Sequence, residues 1–149
     1  MAAFFAFLHH LAAFTLVASL AVELVVIGGE LTLAAARKLR LADLAYGISA
    51  GLLLIVGLAR VFHFEKGATY YFHTWTFLAK LALFVTIGLV SIIPTVEFLS
   101  WRQSVALGKP PPVSARKVRM LRSIIHLELA GVVLILLFAA MMAKGIGLM

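Results

Sequence analysis

The chain has 149 residues, the size of one ordinary domain, but its composition excludes an ordinary soluble domain. Apolar residues make up 64% of the chain and charged residues 13%, against about 45–50% and about 25% in soluble proteins. This composition predicts a membrane protein in contact with a lipid bilayer. The lack of cysteine excludes disulfides and thiolate metal sites. The net charge of +7 does not predict a nucleic-acid partner, because the basic residues cluster beside apolar runs.

Four segments are long and apolar enough to span a bilayer, which needs about 20 such residues. The predicted helices cover about residues 3–27, 44–61, 75–99 and 121–143. Nothing is left for a second domain. The sequence therefore predicts an all-α fold, an integral membrane four-helix bundle, with a single domain over residues 1–149.

The basic residues of the connectors predict the orientation of the bundle. The first connector contains Arg37, Lys38 and Arg40, and the third contains Arg102, Lys109, Arg116, Lys117 and Arg119. The middle connector contains only Lys66. Because Lys and Arg favour the cytoplasmic side, the N-terminus and the C-terminus are both predicted to be periplasmic.

Ionisable side chains inside spanning helices are costly and therefore mark candidate functional sites. One layer of them, near the outer face, consists of His9, His10, Arg60, His63, His73 and Lys80. At about 1.5 Å of rise per residue, His9 and Lys80 lie about 8–9 Å below the starts of their helices, so they share a depth. His9 and His10 are about 100° apart on the helix, so only one of them can face the interior.

The shared depth would allow His9 and Lys80 to act as the axial ligands of a haem iron, because imidazole and a neutral amine are both donors. Arg60, near the outer surface on a third helix, is suited to pair with a haem propionate. The sequence thus predicts haem b held by these three residues. Two alternatives stay open. Lys80 and Arg60 could extend their charged groups to the interface, or the histidines of this layer could bind copper or zinc.

A second layer of ionisable residues lies near the inner face and consists of Glu23, Glu97, His126 and Glu128. Together they could form a proton relay or a cation site. The alternative is that arginines of the neighbouring connectors neutralise the carboxylates at the interface. His126 is a further candidate metal ligand if another helix offers a partner.

Two short motifs carry a resemblance to a known superfamily. The segment LHHLAAF at residues 8–14, followed by Ser19 and Leu20, resembles the first helix of the superfamily of HemJ-type protoporphyrinogen oxidases and CopD-type copper-resistance membrane proteins. The segment WTFLAKLAL at residues 75–83 looks like the HemJ pattern that opens the third helix. The resemblance implies a bacterial inner-membrane protein with a b-type haem associated with His9 and Lys80.

Three functions follow as expectations. The leading one is a haem-binding protein of electron transfer or porphyrin oxidation, a haem-dependent oxidoreductase if the resemblance extends to the reaction. Its partners would be a quinone, a porphyrin or a redox protein. The others are copper or cation binding and transport, and an accessory subunit of a larger membrane complex. Lipid-facing surface on every helix also allows a homo-oligomer.

Overall fold

The fold consists of long apolar helices whose connectors contain shorter ones. The structure, a computed structural model, describes residues 1–64 and 68–147. The helices are α1 (Ala2–Ile27), α2 (Leu33–Ala59), α3 (Ala68–Phe72), α4 (Trp75–Ser100), α5 (Arg102–Ala106) and α6 (Ala115–Ala143), with a π-helical turn at Arg60–Phe64. Among the described residues, α1, α2, α4 and α6 are long and apolar enough to cross a bilayer. The predicted all-α membrane bundle is therefore confirmed.

Two of the spanning helices begin earlier than their apolar runs predict. The Thr32 side chain accepts a hydrogen bond from the Ala35 N–H (3.1 Å), and α2 begins directly after this cap rather than near residue 44. Ser114 caps α6 in the same way by accepting from the Lys117 N–H (3.3 Å). Hydropathy alone predicts that each of these helices starts where the charged residues end. Arg, Lys, Leu and Ala are all good helix formers, so the helices continue through the basic residues.

The four spanning helices form a bundle in which α1 packs against α2 and α6, and α4 packs against the same two helices. Within the described residues α1 and α4 do not contact each other, so they lie diagonally across the bundle. The approach of α4 to α6 is close at Gly131, where an added Cβ atom would lie 2.5 Å from Ile87 Cδ1. A residue without a side chain allows this packing.

The two ends of the bundle differ in charge. We call the end that carries the 28–32 and 101–114 connectors the basic end, and the opposite end the termini end. At the termini end the Trp75 N–H donates to the Gly147 carbonyl (2.9 Å), and the Thr76 hydroxyl donates to the Ile146 carbonyl (3.1 Å). Which end faces which side of the membrane stays a prediction, and Lys66, on which it partly rests, lies outside the described residues.

The apolar core is concentrated toward the basic end. Its fully buried members are Leu16, Leu20, Ile27, Ala36, Leu39, Tyr46, Ile87, Phe98, Trp101, Val105, Leu121, Ile125 and Val132. A smaller cluster at the termini end consists of Val61, Tyr71 and Phe77. Along the bundle, the stretch between these clusters is less completely packed than either of them.

Candidate functional site

Polar side chains join α2 to α4 in the basic half of the bundle. The Thr95 hydroxyl donates to Asp43 Oδ1 at 2.6 Å. The buried Ser91 hydroxyl on the same helix donates to the Gly88 carbonyl (2.8 Å). The Thr95–Asp43 bond therefore fixes the register of the antiparallel α2 and α4.

Three carboxyl side chains are buried in this half of the bundle, and one of them is the Asp43 bonded to Thr95. Glu23 on α1 and Glu128 on α6 are each 1% exposed, and Asp43 on α2 is 8% exposed. They are close enough for their charges to interact, and we call these three residues the carboxyl cluster. Glu23 Oε1 and Glu128 Oε1 are buried without a hydrogen-bond partner among the described residues. An ionised carboxylate in such a place costs several kcal/mol unless it is paired.

Within the part of the chain that the structure describes, no basic side chain is paired with the carboxyl cluster. Among residues 1–64 and 68–147, Lys, Arg and His form no ion pair with Glu23, Asp43 or Glu128 within 4.0 Å. The expectation that connector arginines pair with the inner carboxylates is therefore wrong for Glu23 and Glu128. Arg40, only three residues from Asp43, is half-buried and its Nε is itself buried without a hydrogen-bond partner.

Two predicted members of the inner layer lie elsewhere. Glu97 forms an ion pair with Lys117 (2.7 Å) and accepts a hydrogen bond from Trp101 Nε1 (3.1 Å) at the basic end. His126 is exposed on the outside of α6, although it is only two residues from the buried Glu128. The structure thus separates Glu97 and His126 from the carboxyl cluster, and places Asp43 there instead.

The two adjacent histidines of α1 point in different directions, as their 100° offset requires. His10 is exposed, and its Nδ1 donates to the Ala6 carbonyl at 2.6 Å, because a carbonyl can only accept. His9 is half-buried on the stripe that continues through Ala12. A Cβ atom on Gly57 would lie 3.5 Å from His9 Cε1, so this imidazole packs directly against α2.

Lys80 lies at the level of His9. Gly57 follows Asp43 by 14 residues on α2, and Lys80 precedes Thr95 by 15 residues on the antiparallel α4. Because Thr95 donates to Asp43, this register brings Lys80 within about one residue of the level of Gly57, and Gly57 faces His9. The two nitrogen donors therefore share a level on helices that lie diagonally across the bundle.

The charged groups near this level reach toward the termini end. Lys80 is half-buried, and its Nζ lies 5.4 Å from the centroid of the Phe77 ring, which is closer to that end. A cation over an aromatic face is stabilised, and this position is also what a snorkelling lysine adopts. Arg60 is half-buried in the π-helical turn that follows α2, about one helical turn beyond Gly57.

Few side chains of α4 and α6 are fully buried at the level of His9 and Lys80. On α4 no side chain from residue 78 to 86 is fully buried, and from residue 133 to 147 the same holds for α6 and the segment after it. The basic half, in contrast, has buried residues on every spanning helix. His9 and Lys80 therefore lie in the half of the bundle whose side chains are less completely buried.

The remaining predicted ligands are not brought together. His63 and His73 are both exposed, and His73 Nδ1 donates to the Thr69 carbonyl at 2.7 Å. In the described part of the chain there is no group of three or more His, Asp or Glu side chains arranged to hold a metal ion. The structure therefore gives no support to a copper or zinc site made of several imidazoles.

Comparison with known proteins assigns the chain to a family. The family described as predicted membrane protein (DUF2214) matches residues 1–147. The chain belongs to this family. No curated protein and no solved structure matches this chain. These comparisons do not support the resemblance to HemJ-type and CopD-type proteins, which stays a prediction.

Sequence reasoning missed Asp43 in this DUF2214 protein because it placed residue 43 in a connector. The signal that could have found it is the helix start at Thr32, a favourable cap before an alanine-rich stretch. From there, Leu39, Asp43 and Tyr46 follow the spacing of one helix face, and all three are buried. A carboxyl group in an otherwise apolar stripe would then have been evident.

The Asp43–Thr95 contact predicts a difference between two threonines of α4 in this DUF2214 protein. Thr95→Val should lower the free energy of unfolding by about 1–3 kcal/mol, because it leaves the nearly buried Asp43 without its donor. Thr86→Val is the matched control, since the Thr86 hydroxyl is exposed and donates only to Ala82 of its own helix. It should change stability by less than about 0.5 kcal/mol. Detergent unfolding titrations measure both, and equal losses would contradict the assigned contact.

Proposed function

We propose that this membrane protein binds one haem b near the termini end and acts in electron transfer or porphyrin oxidation. The proposal includes a distant relationship to the HemJ-type and CopD-type superfamily. It also includes a bacterial inner-membrane location, with both termini in the periplasm. The proposed partners are a quinone, a porphyrin or a redox protein.

The observation that carries this proposal is the placement of His9 and Lys80. The two donors lie at one level on α1 and α4, which do not contact each other within the described residues. The side chains of α4 and α6 around that level are not fully buried. A cofactor of the width of a porphyrin needs donors on opposite sides of the bundle, and the placement of His9 and Lys80 supports the proposal in this respect.

Each of the three residues has a separate role in the proposed site. His9 would supply an imidazole nitrogen to the iron, and its ring packs beside Gly57 of α2. Lys80 would supply a neutral amine, which requires its Nζ to leave the Phe77 ring. Arg60 would pair with a propionate at the surface. The bound haem would supply one-electron redox chemistry.

The spectrum of the purified protein separates this proposal from its competitors. A Soret band with a reducible α band supports haem. A bound transition metal without these bands would support copper or cation handling, and a colourless protein with stable partners would support an accessory subunit. The exposed apolar side chains on the spanning helices allow either lipid or subunit contact.

The two adjacent histidines predict opposite results on alanine substitution. His9→Ala should reduce haem occupancy at least about tenfold, since even the outer-shell partners of metal ligands contribute about 10–100-fold to affinity. His10→Ala should leave occupancy unchanged, because His10 is exposed and bonds to its own helix. Haem content per folded protein, with folding checked by circular dichroism, measures both. Equal losses from the two substitutions would overturn the assignment of His9.

Lys80 can be tested with a substitution that preserves charge. Lys80→Arg should abolish the six-coordinate low-spin spectrum, because Arg stays protonated and has no lone pair to donate to iron. A lysine that only snorkels over Phe77 would be replaced by Arg without effect. Lys144→Arg, at the exposed end of α6, is the control and should not change the spectrum. A wild-type spectrum in folded Lys80→Arg protein would remove Lys80 from the site.

The orientation of the bundle is testable because the native chain has no cysteine. Thr69→Cys lies at the termini end and Pro112→Cys at the basic end, and both positions are exposed. In intact spheroplasts, a membrane-impermeant maleimide should label Thr69→Cys and should reach Pro112→Cys only after permeabilisation, because basic connectors stay in the cytoplasm. The reverse pattern would place the termini in the cytoplasm.

A further inference from the structure

We propose that Glu23, Asp43 and Glu128 form a proton-binding site inside the membrane. This site is separate from the proposed haem site and does not depend on it. Its ligand is the proton, which the carboxyl cluster holds while the bundle is folded and exchanges with water from the basic end. The argument rests on burial, on charge and on the unpartnered oxygens of the cluster.

The charges that face the cluster leave it without compensation. The groups on the helices packed around it are Glu23 from α1, Asp43, Tyr46 and Arg40 from α2, Ser91 and Thr95 from α4, and Glu128 from α6. Arg40 forms no ion pair with the carboxyls. Three ionised carboxylates would repel one another in an apolar surrounding that screens them poorly. The folded bundle therefore favours the uptake of at least one proton.

The hydrogen-bond partners of the cluster also indicate that its ligand is a proton. Glu23 Oε1 and Glu128 Oε1 are acceptors that no described donor reaches, although both residues are 1% exposed. Asp43 has a donor in Thr95, so the lack of donors is confined to the two glutamates. Protonation of a carboxylate creates the one donor that these side chains lack.

The proton fits the site better than a metal ion. The three carboxyls come from three helices, and in the described part of the chain no group of acids and histidines has the geometry to hold a metal. Binding forms an O–H bond on a carboxylate oxygen. The proton comes from hydronium or a buffer acid, which is left as its conjugate base. Release reverses the step, and nothing is oxidised or reduced.

The position of the cluster gives it access from one side. Glu23 is about one helical turn from the end of α1 at Ile27, which corresponds to about 6 Å along the axis. The half-buried Arg40 lies on α2 between Asp43 and the same end. The termini end is much farther along α1. Exchange with water is therefore expected at the basic end.

Infrared spectroscopy of the full-length protein in lipid nanodiscs tests the assignment directly. At neutral pH the wild type should show the C=O stretch of a protonated carboxyl group, shifted in D₂O. Glu23→Gln, Asp43→Asn and Glu128→Gln should each reduce or displace this band. Glu97→Gln, which removes a carboxylate paired with Lys117, is the control and should leave it unchanged. No such band in the wild type, or one that is identical in all the cluster variants, would overturn the proposal.

A second measurement keeps the test informative if a single variant folds poorly. The unfolded glutamates lose their protons above about pH 4.3, whereas the folded cluster keeps one, so wild-type stability should fall as pH rises from about 5 through neutrality and level off once the cluster is ionised. For one proton, the unfolding equilibrium constant rises up to about tenfold per pH unit. The Glu23→Gln, Glu128→Gln double variant should lose this dependence, because Gln keeps the shape of the acid without its charge. The same pH dependence in wild type and double variant would contradict a proton site.

Added cations distinguish a proton site from a metal site. Sodium, magnesium and zinc salts, each compared with choline chloride at equal ionic strength, should not restore wild-type stability at alkaline pH. Restoration by one of these ions in the wild type, but not in the double variant, would show that the cluster binds that ion and would overturn the assignment to the proton.

Discussion

The burial of three carboxyl groups without a cation constrains the basic half of this bundle. A membrane interior offers no water to satisfy polar groups, so each acid must find its partners within the protein. Asp43 finds one in Thr95, whereas Glu23 and Glu128 each keep a buried oxygen without a partner. Such unpartnered polar groups lower the stability of the bundle. They lie in its best-packed region, so a functional role explains their presence more readily than packing does.

The surroundings of the cluster reflect this constraint. Helix α4 contributes a hydroxyl group rather than a charge, because Thr95 donates to Asp43. Apart from Arg60, the arginines lie toward the basic end. The ion pair described there joins Glu97, 16% exposed, to Lys117, 46% exposed. A pair that reaches solvent in this way contributes about 1 kcal/mol. The fold therefore depends on apolar packing around a polar centre rather than on surface charges.

Hydropathy was sufficient to predict the number of spanning helices and both ends of α1 and α4, because a bilayer imposes length and apolarity on every crossing. It failed at the start of α2, where capping by Thr32 and helix propensity extend the helix through charged residues. That error placed Asp43 in a connector. The sequence also grouped His126 with Glu128 by depth, but depth alone does not specify the side of a helix, and His126 is exposed.

The sequence predicted how far along its helix a residue lies, but not the direction in which its side chain points. His9 and Lys80 were paired by depth, and the Asp43–Thr95 register of α2 against α4 puts them within about one residue of the same level. The carboxyl cluster lies about 20 Å farther along α1, as the rise per residue from His9 to Glu23 gives. Helix α1 passes through both regions. His9 lies in its less completely buried half and Glu23 in its closely packed half. A group bound at the termini end can therefore displace side chains there without opening the packed core around Glu23, and the two regions can be tested independently.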